Sequence, residues 1–155
     1  MPHPLNEAMT SDIRAARLDD LDALLLLYRH LNPADPPLSR AAAEDRLRAM
    51  LAQPGMTILC VQAGEIVVAT CTLIIVPNLT RGGASYALVE NVVTHPDHRQ
   101  NGHGRAVIRK AIGLAFDAGC YKVMLLTGRA DPTVHRFYEG CGFTQSKTGF
   151  QIRNN

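Results

Sequence analysis

The sequence predicts an α+β fold, mixed α/β in the order of its parts: a central, mostly antiparallel sheet of about 6–7 strands with helices on both faces. Three observations predict it. The apolar runs at residues 57–62, 65–76 and 86–94 follow one another with only a turn or a loop between them, as sequential antiparallel strands do. Helical and strand-like segments then alternate to the C-terminus, which makes the sheet a mixed one. Finally, 155 residues at 46% apolar and 19% charged are enough for one buried core and argue against disorder.

The elements follow in order. Residues 1–10 read as a flexible leader, and 11–155 as a single domain. Residues 12–17 alternate weakly as a first strand. Asp19, Asp20 and Asp22 suit the positive end of a helix dipole, and the leucines up to Leu31 supply the buried stripe of that helix. Pro33, Pro36 and Pro37 end it. Ser39 is the expected N-cap of a second helix reaching Ala52, which Pro54-Gly55 stops. Ala63-Gly64 joins the 57–62 and 65–76 runs as a tight hairpin. A loop carrying Arg81-Gly82-Gly83 leads to the 86–94 strand. A third helix runs from Gly102 or Gly104 to Ala118, with Gly119 as its stop. After a short strand at 122–126, Asp131-Pro132 opens a fourth helix, aspartate capping and proline in the first turn. One or two strands between Phe143 and Arg153 finish the chain.

Composition excludes several classes of partner. A net charge of +2 is too small to imply nucleic acid, and no apolar run is long enough to span a bilayer. Residues 1–12 lack the charged-then-apolar pattern of an export signal. Cys60, Cys71, Cys120 and Cys141 form no CxxC pair and lie in apolar stretches, as reduced core thiols of a cytoplasmic protein would. His95, His98 and His103 fall within nine positions but on a strand end, a loop and a helix start. Without the i, i+4 spacing of a helical zinc motif, no metal is expected.

The chemistry lies at Arg99-Gln100-Asn101-Gly102-His103-Gly104-Arg105, a polar joint between an apolar strand and a helix. Helix N-termini leave backbone N–H groups unpaired and carry partial positive charge. Glycines let such amides close around an anion. Residues 100–105 offer six successive N–H groups, and Arg99 and Arg105 add charged donors. Together they suit a pyrophosphate. The GxGxxG of a dinucleotide fold and the Gly-Lys-Ser/Thr of a P-loop are both absent.

Residues 90–105 resemble the acetyl-CoA signature of the GNAT-superfamily N-acetyltransferases, Arg/Gln-x-x-Gly-x-Gly/Ala, here Arg99, Gly102 and Gly104. Phe137-Tyr138-Glu139-Gly140-Cys141-Gly142-Phe143 is similar to the family's second signature, Phe-Tyr-x-x-x-Gly-Phe. Val89-Glu90-Asn91, Gly119 to Lys122 and Gln151-Ile152-Arg153 are similar to glucosamine 6-phosphate N-acetyltransferases in particular. Two positions depart from that branch: Val134 replaces an asparagine, and Asn91 an aspartate.

The resemblance implies the GNAT acyl-CoA N-acyltransferase fold and direct transfer of an acetyl group from acetyl-CoA, as cosubstrate, to a primary amine of a small molecule. An amino sugar phosphate is one candidate acceptor. It implies that main-chain groups of Val92, Val93 and Thr94 hold the pantetheine arm and the oxyanion, and that Tyr138 protonates the departing thiolate. Relatives' pairing through C-terminal strands implies a homodimer. Glu90 is the expected base: strand alternation sets it on the face of Val92 and Thr94, and an apolar setting would raise its pKa. Arg81 and Asn91 are expected to meet the acceptor. The rival readings are an acyl-CoA-binding sensor without turnover and a protein or peptide N-acetyltransferase.

Overall fold

The computed structural model describes residues 12–154, so the leader expected at residues 1–10 lies outside the described residues. One sheet runs in the order β1-β2-β3-β4-β5, with β1 at Asp12–Ala15, β2 at Met56–Ala63, β3 at Ile66–Val76, β4 at Tyr86–Thr94 and β5 at Val123–Met124. The first four strands pair antiparallel, and β5 lies parallel to β4. The mixed, mostly antiparallel sheet is as expected, but it has five strands rather than six or seven. No strand forms between Phe143 and Arg153. Phe150 and Ile152 alternate there as a strand would, yet they are 95% and 99% exposed, and the polar run Thr144 to Thr148 before them has no apolar face to bury. Alternation without a surface to cover does not hold a strand.

Helices α1 (Leu21–Leu31) and α2 (Arg40–Ala52) cover one face, and α3 (His103–Asp117) the other. Leu21, Leu24, Ala43 and Leu47 pack on Ile58 and Cys60, with Tyr28 against their edge. On the opposite face Val107, Ile108, Ala111 and Ala115 meet Val61, Ala69, Cys71, Leu73, Ala87 and Val89. The period of two along β3 sorts its side chains between these clusters: Ala69, Cys71 and Leu73 toward α3, Thr70 and Thr72 toward α1. Helix α4 (Pro132–Gly140) follows β5 and adds Tyr138 to the α3-side cluster.

The caps read from sequence fall where expected. Ser39 Oγ accepts from the Ala42 N–H at 3.2 Å, and Asp131 Oδ1 from the Thr133 N–H at 2.9 Å. The first helix starts two residues late, because a 3-10 turn at Leu18–Asp20 precedes it and Asp20 is used elsewhere. Both Asp20 oxygens take a guanidinium N–H of Arg14 at 2.8 Å, and Oδ2 also accepts from the Arg17 N–H at 2.7 Å.

The Arg14 hydrogen bonds hold the Asp20 carboxyl below its ordinary value of 3.8, against the opposing effect of burial. Its contribution to stability is therefore complete above about pH 4 and is lost as pH falls through the lower folded value. Asp20→Asn, which strands Arg14, is expected to cost about 2 kcal/mol and to lower Tm by about 5 °C at pH 7. Melting curves should show that deficit shrinking in acid.

Candidate active site

The site begins where β4 stops being a regular strand. Thr72 pairs with Glu90 and Thr70 with Val93, so Asn91 and Val92 share the space opposite Cys71. This is a β-bulge, and Asn91 takes its left-handed turn at φ 52°. Asparagine is one of the few non-glycine residues that adopt that conformation readily.

The bulge corrects the expected alternation. Thr70 and Thr72 lie on one face of β3, so their partners Val93 and Glu90 share the α1 face. Thr94 pairs with Ala69 on the α3 face, and Val92 packs against the α3-side cluster. Glu90 therefore faces away from Val92 and Thr94. It is also exposed, not enclosed by apolar neighbours.

On its other edge β4 pairs with β5 only at Ala87–Val123 and Leu88–Met124. Beyond Leu88 the parallel strands part, and residues 89–94 have no ladder partner on that side among the described residues. Val92, Val93 and Thr94 lie on this open stretch.

The joint carries the chain from there to α3. His95 Nδ1 accepts from the Asp97 N–H at 3.1 Å and caps a 3-10 turn at Pro96–His98. Gln100 and Gly102 are left-handed, at φ 64° and 79°, and the Asn101 side-chain amide donates to the His98 carbonyl at 3.3 Å. The α3 N-terminus has no side-chain cap, and its first bond runs from the Ala106 N–H to the Gly102 carbonyl. The N–H groups of His103, Gly104 and Arg105 thus have no protein partner among the described residues.

Gly104 is small for a packing reason. A Cβ there would lie 3.2 Å from Thr94 Oγ1 and 3.3 Å from Phe137 Cζ. That contact joins the strand end, the α3 start and α4 at one point, linking the two motifs recognised separately in the sequence.

His103 is 7% exposed, and its Nδ1 is buried without a partner among the described residues. Burial, then neighbouring His98, lowers its pKa. A neutral imidazole beside three free amides can donate to an anion. His30, at the end of α1, was not foreseen: its ring meets His95 edge-on at 4.9 Å, and His95 meets His98 at 5.6 Å. Nothing in the local sequence relates residue 30 to residue 95.

Tyr138 stands on α4 with its ring edge-on to Phe137 at 5.1 Å and Phe143 at 6.3 Å. It lines a cavity of 710 Å³ between β5, the 125–128 segment, α4 and the tail. Burial raises its pKa above 10.0, with Cys141 a smaller contributor, so the phenol stays protonated and can donate at neutral pH.

Arg81 belongs to a 3-10 turn before β4, its guanidinium 5.6 Å from the Tyr121 ring. Lys122, which ends the Gly119 to Lys122 segment but carried no expected role, lies 5.3 Å from Tyr121 and 5.7 Å from Tyr86, and it lines the same cavity as Tyr138.

All four cysteines are free and buried, as expected of core thiols. Burial pushes Cys60 up to about 11 and Cys71 to about 12, which leaves neither a nucleophile. Among the described residues no three His, Cys, Asp or Glu side chains converge on a common metal position.

Residues 24–143 match the model of the acetyltransferase (GNAT) family. The chain is 32% identical over 143 residues to a glucosamine 6-phosphate N-acetyltransferase of Trypanosoma brucei brucei, covering 90% of this chain and 92% of that protein. It is 34% identical over 87 residues to the protein of that name from Schizosaccharomyces pombe, covering 56% of this chain and 74% of the other. Among solved structures, a putative acetyltransferase from Agrobacterium tumefaciens superposes with a TM-score of 0.90 at 58% identity, covering 92% of this chain and 99% of its own. A Trypanosoma brucei acetyltransferase superposes with a TM-score of 0.80 at 29% identity, with coverage of 93% and 99%.

Proposed function

We propose the reaction of this chain from its membership: it belongs to the acetyltransferase (GNAT) family. It is an acetyl-CoA-dependent N-acetyltransferase, moving the acetyl group to an amine. In our reading, the pyrophosphate of acetyl-CoA binds the free N–H groups of residues 103–105, with Arg99, Gln100, Asn101, Gly102 and His103 completing the cradle. The single observation that carries this is the uncapped α3 N-terminus with a buried, unpartnered imidazole in its first turn. The pantetheine arm then extends along the open edge of β4, where main-chain groups of Val92, Val93 and Thr94 bind it as an added strand would be bound.

Glu90 takes a proton from the acceptor ammonium, and the neutral amine attacks the thioester carbonyl. The oxyanion is held by β4 main-chain donors, and Tyr138 protonates the sulfur as the C–S bond breaks. The acceptor is a small primary amine. Glucosamine 6-phosphate is its first candidate, because the Trypanosoma and Schizosaccharomyces proteins to which the chain is similar carry that name. Arg81 and Lys122, both ordered over tyrosine rings, supply positive charge for such an anionic acceptor, and Asn91 presents an exposed amide beside Glu90. A cytoplasmic location agrees with four free thiols. A homodimer agrees with the exposed Leu126 and Phe150, which line the cavity beside β5.

The test has two parts. Titrating acetyl-CoA should release heat, and CoA release should be fastest with glucosamine 6-phosphate in a panel that also holds polyamines, aminoglycosides and peptides. Glu90→Gln should keep the heat and lose roughly 10- to 100-fold in kcat. An unchanged kcat removes Glu90 from its role, and an absent heat removes the whole reading.

A further inference from the structure

A phenol that gives up its proton is left negatively charged, and most of what surrounds Tyr138 opposes that. Burial opposes it most, and Cys141 on α4 and Cys71 on β3 add to the effect. Among the described residues Arg129, on the loop between β5 and α4, is the one group that acts the other way. Lys122 and Lys147 line the same cavity as Tyr138, but it is the charge of Arg129 that reaches the phenol.

The main chain holds Arg129 in that position. Its N–H donates to Thr127 Oγ1 at 3.2 Å, and its carbonyl accepts from His135 Nε2 at 3.0 Å. His135, Tyr138 and Glu139 share the α4 face that lines the cavity, at spacings of three and four positions. The bond from His135 therefore fastens Arg129 to the cavity side of α4, one helical turn ahead of Tyr138. Asp131 caps the same helix at the Thr133 N–H, so the loop is tied at three points. The guanidinium itself is exposed and has no carboxylate partner among the described residues. Its charge is not already neutralised by an acid of this chain.

We propose that Arg129 is a positioning residue for the acid step, its guanidinium stabilising the phenolate that Tyr138 becomes when the thioester breaks. The proposal rests on the acetyl-transfer reading above. As the C–S bond breaks, its electron pair goes to sulfur. The sulfur takes the Tyr138 proton, and the negative charge passes to the phenol oxygen. Water returns a proton to that oxygen before the next turnover. Arg129 touches neither the thioester nor the amine and acts through Tyr138. His135 serves it in turn by fixing its main chain.

The experiment compares the full chain with Arg129→Gln, Arg129→Lys and His135→Phe by turnover, by calorimetry with acetyl-CoA and by tyrosinate absorbance. The chain has four tyrosines and no tryptophan, so the absorbance follows its phenols, and the step lost in Tyr138→Phe belongs to Tyr138. Arg129→Gln removes the influence that favours the phenolate. It should move that step, and the alkaline limb of kcat, to higher pH. With the fastest amine of the panel, kcat near neutral pH should fall on the order of five- to tenfold at unchanged KM for acetyl-CoA. Arg129→Lys should restore most of the loss, and His135→Phe should show a smaller one in the same direction. Because the guanidinium is exposed, the gap between Arg129→Gln and the unaltered chain should narrow in about 1 M salt. An unaltered kcat in Arg129→Gln overturns the proposal, even where acetyl-CoA still binds and Tyr138→Phe is still impaired. A loss that lysine does not recover, with the Tyr138 step unmoved, marks a merely structural arginine and overturns it too. An unaltered chain giving no heat with acetyl-CoA overturns instead the acetyl-transfer reading itself.

Discussion

Tyr138→Phe should lower kcat by roughly 100-fold or more, the scale of a lost general acid, while the heat of acetyl-CoA binding stays nearly constant. The substitution removes one oxygen from a ring packed edge-on against Phe137 and Phe143, so its van der Waals contacts survive and the fold should be unaffected. The pH profile separates a proton donor from a packing residue. Burial keeps the Tyr138 phenol above 10.0, so turnover by the unaltered chain should decline only beyond that value, and the phenylalanine variant should show no such limb. A variant with full kcat would leave the thiolate to be protonated by water and would reduce Tyr138 to a wall of the cavity.

The second large effect is expected at Gly104. An added methyl group meets Thr94 Oγ1 at 3.2 Å and Phe137 Cζ at 3.3 Å, so the strand end, α4 or the helix start must shift. Overpacking of this kind costs about 1–3 kcal/mol. Here it falls on the amides proposed to grip the pyrophosphate. Gly104→Ala should raise the Kd for acetyl-CoA about tenfold, and Gly104→Val should raise it further. Gly102→Ala is the useful contrast. Its left-handed φ of 79° disfavours a side chain, yet nothing lies within 4 Å of the added Cβ. It should therefore cost about 1 kcal/mol of stability with a smaller change in Kd. Isothermal titration of both variants separates the effects, and an unaltered Kd for Gly104→Ala would remove the α3 start from the binding site.

Much of this architecture was legible because short-range chemistry wrote it. Ser39 and Asp131 mark their helix starts through bonds to residues two or three positions on, and Gly102 marks a left-handed turn next to its own helix. What escaped depends on partners distant in sequence. The bulge at Asn91 is visible only against β3, since the run from Val89 to Thr94 reads as an unbroken strand until its pairing is counted. Alternation alone therefore placed Glu90 on the wrong face. His30 beside His95 and Tyr28 against the cluster of Ile58 and Cys60 are products of α1 lying across the sheet, which no local pattern specifies. The tail failed in the opposite sense: Phe150 and Ile152 carry a strand's rhythm, but the rhythm describes a face and does not provide something to cover.

The extra residue in β4 sets durability and usefulness against each other. Shorten the strand by Asn91 and the hydrogen bonds to β3 would run on without interruption, with Val93 and Thr94 keeping their present neighbours. The same repair would remove the irregularity beside the stretch where β4 and β5 part, the gap proposed above for a long, thin cosubstrate. A tidier β4 would be the sturdier strand and the poorer enzyme.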